Sequence, residues 1–397
     1  MPKRSMAWIP FIFIPLVAWS RDLAVAILVL GAVAVLFWGH LNWREIFITS
    51  LRTPWALSAS AFIFWSLIAV IWAPHLPFAA WLKVFIAVTA ISILTTGLVR
   101  LPAVTIRHLS TLAIMSALAL LGLLLFERLT DGLLIRIDRS SDTPVQILNT
   151  LSGGLVLLSC VCFPMAWLMI RRTGRRIWPI AFIASCFSLS LVYRMDAIPV
   201  GLLAGTLSAL IVLRWHTRGF LVVVVTAGLL AVSWAPLTMS ASALHLDSWL
   251  MENIDRNWGY RIIIWHYVGE LVREHFIIGY GFDSARVLGA AADLLPDRRG
   301  NSTFLHPHNG ILQIWLELGV SGVALFVTTA ILLARRILNC APSSGALAAA
   351  TGTIIFSTTI WLLSYGIWQG WWIAVLGLAA SAVILVLRVD AEERHNT

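Results

Sequence analysis

The sequence predicts an all-α, polytopic membrane protein of about 12 transmembrane helices, with a partly helical large loop on its non-cytoplasmic side. Three observations lead there. The 397 residues are 59% hydrophobic and only 12% charged, with a mean hydropathy of +0.88, whereas a soluble chain carries roughly 25% charged residues. Apolar runs recur along the whole chain and leave no segment long enough for a soluble domain. Arginines recur in every second connection between those runs. Residues 1–397 therefore read as a single membrane domain.

No backbone polar group can stay unpaired in lipid, so each crossing needs roughly 20 mostly apolar residues. By that rule the spans fall near 6–20, 22–39, 55–73, 78–99, 109–126, 148–170, 177–193, 197–213, 220–240, 310–334, 345–366 and 371–387. The first is short and contains Pro10 and Pro15. It follows the basic start Met1-Pro2-Lys3-Arg4-Ser5 but has no small-residue cleavage site before Arg21, so it reads as an uncleaved span.

Placing the N-terminus in the cytoplasm puts Arg44, Arg52, Arg100, Arg107, Arg171, Arg172, Arg175, Arg176, Arg214, Arg218, Arg335, Arg336 and Arg388 on the inner side. That side then holds 16 of the 28 Lys and Arg but 4 of the 19 Asp and Glu. Such an asymmetry is what orients membrane helices, and it predicts both termini inside. The net charge of +9 is thereby explained by short loops and argues against nucleic-acid binding. Cys160, Cys162 and Cys186 lie in apolar runs, and with Cys340 they show no metal-ligand spacing; core packing accounts for them.

Two polar segments remain outside, 127–146 and 241–309. The longer exceeds what a structureless connection usually reaches, so it is expected to fold. Within it Trp258, Ile262, Trp265, Gly269, Val272 and Phe276 recur at helical spacing. The pattern predicts an amphipathic helix over 257–276 lying on the bilayer surface. Arg261 falls inside the apolar stripe, as the exception. Gly279 to Gly281 ends the helix, and 296–300 reads as a turn.

Chemistry concentrates around this loop. In His306-Pro307-His308-Asn309, Asn309 suits the N-cap of the tenth span, which puts His308 at its outer mouth. The two histidines read either as interfacial residues beside a cap or as a base, since a neutral imidazole of pKa about 6.5 can take a proton from a hydroxyl. Arg194, in a short outer connection, either snorkels at a helix C-terminus or captures an anion, and Arg261 poses the same alternative. Glu317 lies two turns into the tenth span, where a carboxylate is costly unless paired, and a basic partner is expected.

These residues resemble a known family, the O-antigen ligase and polymerase group of polytopic bacterial membrane proteins. His308-Asn309, nine residues and then Gly319-x-x-Gly322 fit its His-(Asn/Ser/Gln)-x9-Gly-x-x-Gly pattern. Tyr260-Arg261 through Trp265, followed by Gly279-Tyr280-Gly281-Phe282-Asp283-Ser284-Ala285-Arg286, looks like its loop signature. Arg194 resembles the family's outer-loop arginine by position, though Tyr193 stands where a Ser is common. The motif-bearing part is 188–322; the first five spans match in topology alone.

The resemblance implies a helical membrane glycosyltransferase acting at the periplasmic face of the bacterial inner membrane. Its donor would be an undecaprenyl-diphosphate-linked glycan and its acceptor a lipid A-core sugar. His308 would activate the acceptor hydroxyl, while Arg194 and Arg261 would bind the departing diphosphate. Apart from the resemblance, Asp283 and Arg286 read either as positioning sugar or closing the site or as pairing with each other on an exposed loop, and His306, Asn309 and Glu317 are further supporting candidates. A leaving diphosphate needs cationic stabilisation from a divalent metal or from guanidinium groups. The outer carboxylates do not cluster, so no metal or other cofactor is expected. A polymerase, with a second lipid-linked glycan as acceptor, is the nearest alternative, and Arg128, Arg136 and Arg139 in the earlier outer segment keep it open. A secondary transporter would place ionisable residues near the midplane, often in repeated halves; Glu317 is the one residue that comes close.

Overall fold

A computed structural model gives the arrangement of residues 12–38, 52–138, 143–243, 256–292, 294 and 303–395. Among them the chain forms 14 α-helices and no strand. In order these are α1 (Leu23–Trp38), α2 (Pro54–Ile68), α3 (Phe78–Arg100), α4 (Ala103–Leu129), α5 (Leu133–Asp138), α6 (Pro144–Thr173) and α7 (Ile177–Val192). Then follow α8 (Ala197–Val232), α9 (Trp234–Ala243), α10 (Arg256–Glu274), α11 (Ser284–Ala291), α12 (Gly310–Asn339), α13 (Ser344–Leu363) and α14 (Gly370–His395).

Local chemistry sets the ends. Pro54 and Pro144 stand in the first turns of α2 and α6, where no amide donor is missed. Thr143 and Gln146 close a capping box on α6, and Gly174 ends it with φ 67°. Among the described residues seven helices are long and apolar enough to cross a membrane, and α1, α2 and α7 are shorter apolar helices. Helix α8 is broken at His216 (φ 46°), which separates the eighth and ninth predicted spans. Eleven of the 12 predicted spans thus fall on helices. The described part of the first does not: Ile14–Ala18 is a five-residue 3-10 helix with Pro15 in its first turn. Residues 1–11, the Arg44 connection and the 296–300 turn lie outside the described residues.

Three corrections concern the ninth span, the tenth span and the loop. Helix α12 is interrupted at Gly319 (φ 63°, ψ −168°), so 310–318 and 320–339 are separate helical pieces. Its 20 residues make 320–339 alone about 30 Å long, one hydrocarbon thickness. The ninth span ends at Val232, and Trp234 opens α9. The amphipathic helix exists as α10, but its stripe does not rest on lipid. Ile264, Val268 and Val272 are buried against α9 and 310–318, and Trp265 meets the Trp234 ring edge-on at 5.1 Å. Phe276, expected on the apolar face, is exposed.

Two large apolar clusters result, beside a small third one around Phe220 and Leu347. One packs α1, α4, α6, α7 and α14 around α6, whose 18 most apolar residues are almost all buried. The other gathers α2, α10, 310–318 and the turn between α13 and α14. The candidate site lies at the end of the molecule where these clusters meet.

Candidate active site

The strap 303–309 is hung between two helices. Trp265 Nε1 of α10 donates to Pro307 O at 2.8 Å, and Tyr260 Oη donates to Thr303 O at 2.8 Å. At the far end Asn309 Oδ1 accepts Leu312 N–H at 2.9 Å, the predicted N-cap. His308 takes the left-handed conformation, φ 54°. That costs a branched-free side chain of order 1 kcal/mol or more and persists only where neighbours fix it.

The two histidines are held as opposite neutral tautomers. His308 Nδ1 lies 3.0 Å from Ser364 O. A carbonyl can only accept, so Nδ1 carries the proton and Nε2 is left as the basic nitrogen. His306 Nδ1 accepts the His308 amide N–H at 3.2 Å, so its proton sits on Nε2 and donates to the Gln369 side-chain amide, 2.8 Å away, with that amide turned to present its otherwise unpartnered Oε1. The rings lie 4.4 Å apart. Burial pushes the His306 imidazole down to about 3, with the charges of His308, Arg286, Arg21 and Arg261 adding to the effect. Burial also lowers His308, partly offset by the Ser364 hydrogen bond, while Arg261 lowers it further. His306 is therefore a neutral brace with both nitrogens engaged; His308 is the side chain able to accept a proton.

Arg261 lies with its guanidinium 4.5 Å from the Trp258 ring centre. Burial lowers its pKa, and the Asp196 carboxylate and Tyr365 act in the opposite direction. Asp196 follows Arg194 by two residues, so the Arg194 turn borders the same site. Arg194 is exposed, has φ 54° and, among the described residues, makes no hydrogen bond or ion pair to the histidines. Predicted residues His306, His308, Arg261 and Arg286 are thus brought into one electrostatic neighbourhood, whereas Arg194 is not among the charges that act on them.

Glu317 departs from expectation. Among the described residues no basic group meets it; its carboxylate accepts from Asp283 N (2.7 Å), Ala285 N (3.3 Å), Gln313 Nε2 (2.8 Å) and the Trp368 indole. Four neutral donors satisfy a fully buried carboxylate. The break at Gly319 completes the same knot. Tyr280 N and Gly281 N donate to Leu316 O and Glu317 O, both at 2.9 Å, while Val320 N and Ser321 N donate back to Phe276 O and Ile277 O. Trp65 Nε1 takes Leu318 O. Backbone groups freed by the kink are thereby paired with the 276–281 segment. A Cβ on Gly279 or Gly319 would overlap backbone across this seam, and both have positive φ. Asp283 pairs with Arg286 (3.4 Å), as the spacing allowed, and also with His75 at 3.5 Å.

Sequence reading missed the turn between α13 and α14. It supplies Ser364 to His308, Gln369 to His306, Trp368 to Glu317 and, through Ile367 N, 3.0 Å to Gln313 Oε1. A Cβ on Gly366 would lie 2.7 Å from Gln313 Oε1 and 3.1 Å from His306 Cβ, so the close approach needs glycine. The available signal was the run Ser364-Tyr365-Gly366-Ile367-Trp368-Gln369-Gly370, polar and aromatic residues between two apolar spans. Behind Trp368 lies an apolar cavity of about 260 Å³ bordered by Phe62, Val88, Phe326, Trp361 and Trp372. Among the described residues no three His, Cys, Asp or Glu side chains come together as metal ligands.

A polytopic helical membrane protein with a basic imidazole nitrogen beside guanidinium groups at one end of its bundle is the class that fold and site define. Residues 144–327 match the O-antigen ligase family model, so over that region the chain is O-antigen ligase-like. Relatives share the likeness. A Rickettsia prowazekii protein and a Rickettsia typhi protein, each named "Putative polysaccharide ligase", are 39% identical to this chain over 117 residues. A Rickettsia felis protein of the same name is 37% identical over 118. Each match covers 29% of this chain and 29% of the relative, so the chain matches less than a third of their length. No solved structure matches the chain.

Proposed function

We propose that this chain is an O-antigen ligase-type glycosyltransferase. It moves a polysaccharide from undecaprenyl diphosphate to a sugar hydroxyl of lipid A-core, at the periplasmic face of the bacterial inner membrane. The observation that carries the reading is His308, whose Nδ1–H is engaged by Ser364 O, leaving Nε2 to act as base beside Arg261.

In this reading His308 Nε2 takes the acceptor hydroxyl proton as the hydroxyl oxygen bonds to the anomeric carbon of the donor glycan. The bond from that carbon to the diphosphate oxygen breaks, and undecaprenyl diphosphate leaves with the electron pair. Arg261 and Arg194 hold the departing charge, which gives the electrostatic stabilisation a metal would otherwise supply. His306 and Asn309 fix the strap, and Glu317 and Asp283 with Arg286 fix the neighbouring loop. The similarity to polysaccharide ligases supports the substrate class.

The test is transfer in vitro by purified protein in proteoliposomes, with a lipid-diphosphate-linked glycan and defined acceptors. Transfer to lipid A-core that is lost in His308→Ala and survives chelation is expected. Extension of a second lipid-linked glycan instead would make the chain a polymerase. Solute movement without any glycan transfer would overturn the enzyme reading.

A further inference from the structure

The segment 14–21 reaches the start of α14. Residues Ile14 to Ala18 pack against α4 and α6, and Gly154 lets them close in: a Cβ there would lie 2.9 Å from Ala18 Cα. One residue earlier, a Cβ on Gly153 would lie 2.6 Å from Arg21 Cβ. Two glycines thus admit the segment and fix where Arg21 emerges. The Arg21 guanidinium lies 5.3 Å from the centre of the Trp371 ring, and Trp371 packs edge-on to Tyr365 at 4.6 Å. Tyr365 follows Ser364, the residue that holds His308. Among the described residues Arg21 makes no ion pair, and its side chain is exposed.

We infer that Arg21 is a further guanidinium of the catalytic pocket, braced by Trp371 against the 364–369 turn, and that it binds a phosphate oxygen of a lipid-linked substrate. Two physical points support it. Arg21 and Arg261 come from elements far apart in sequence, yet the charge of each bears on both His306 and Tyr365. Like charges are kept near one another at a cost that an anion between them reverses. Stacking on Trp371 leaves the guanidinium edge, with its N–H donors, free for such an anion, and a guanidinium matches phosphate oxygens bidentately. The proposal rests on the glycosyltransferase reading given above. The phosphate can belong to the diphosphate donor or to a phosphorylated acceptor.

The experiment uses full-length protein in nanodiscs. It measures binding of undecaprenyl diphosphate and undecaprenyl phosphate, and transfer at varied donor and acceptor, the acceptor supplied with and without its phosphates. For Arg21→Gln, binding of undecaprenyl diphosphate about tenfold weaker, with Arg21→Lys in between, assigns the contact to the donor. An acceptor KM raised about tenfold only for the phosphorylated acceptor assigns it to the acceptor. Unchanged donor affinity and unchanged KM for both substrates in a folded Arg21→Gln protein would overturn the inference. That result would leave the glycosyltransferase reading intact if Arg261→Ala still weakens donor binding. Wild-type protein that neither prefers the diphosphate nor transfers glycan would overturn both.

Discussion

Helix α6 and helix α12 are each 30 residues long, and they solve the problem of burial in opposite ways. Helix α6 is continuous through Pro164 and buries apolar residues and two cysteines on nearly every side. Helix α12 breaks at Gly319, and its first piece buries Asn309, Gln313 and Glu317, the last two among donors drawn from two other parts of the chain, 283–285 and 367–368. Apolar packing is tolerant of its neighbours, whereas a buried polar group needs particular partners. The candidate chemistry sits on the second kind of helix, where position is specified by hydrogen bonds.

The sharpest way to break the contrast is at His308. His308→Ala should cut transfer by roughly a hundred- to ten-thousand-fold, the usual worth of a general base, with an unchanged melting curve and donor binding retained. Loss of folding in that variant would instead make the strap structural. Next comes Glu317. Glu317→Leu strands four donors, each costing about 1–3 kcal/mol when left unpaired, and should lower both stability and transfer per folded molecule. Leu157→Ala in the apolar cluster should cost about 2–5 kcal/mol of stability while transfer per folded molecule stays near wild type. Equal losses of specific activity in the two would erase the distinction.

Arg261→Ala is expected to weaken donor binding about ten- to a hundredfold, the loss of one charge-assisted contact, measured by equilibrium binding of undecaprenyl diphosphate. The smallest effect concerns pH. His308 acts when neutral, so transfer falls as pH drops through its folded pKa, which burial and Arg261 hold below about 6.5. The rate should be flat from pH 8 through 6.5 and decline only at lower pH. Arg261→Gln removes a repelling charge and should move that decline toward higher pH. An acid limb at or above 6.5 in the wild type would contradict the burial seen around the strap.

The apolar pattern made most of the helices legible, because a span is a local property: enough consecutive apolar residues suffice. Asn309 was legible for the same reason, since an N-cap is read within four residues. What escaped was assembled from afar. Ser364 and Gln369 have no local signature that ties them to His308 and His306 more than 50 residues away. Glu317 was recognised as needing a partner, yet a carboxylate can be satisfied by amides and indoles as well as by a cation, and sequence does not choose between them. The covering of α10 was hidden because lipid and protein select the same apolar stripe.

The joint at Gly319 has a mechanical consequence. A span answers a thicker or thinner bilayer by changing its tilt. An unbroken α12 would carry that tilt along a rigid rod to His308. Instead 320–339 meets 310–318 through a left-handed glycine and borrowed hydrogen bonds, while the strap hangs from α10 and the 364–369 turn. The strap that carries His308 is thus tied to α10 and to the 364–369 turn as well as to a jointed helix, and its place does not depend on one straight rod.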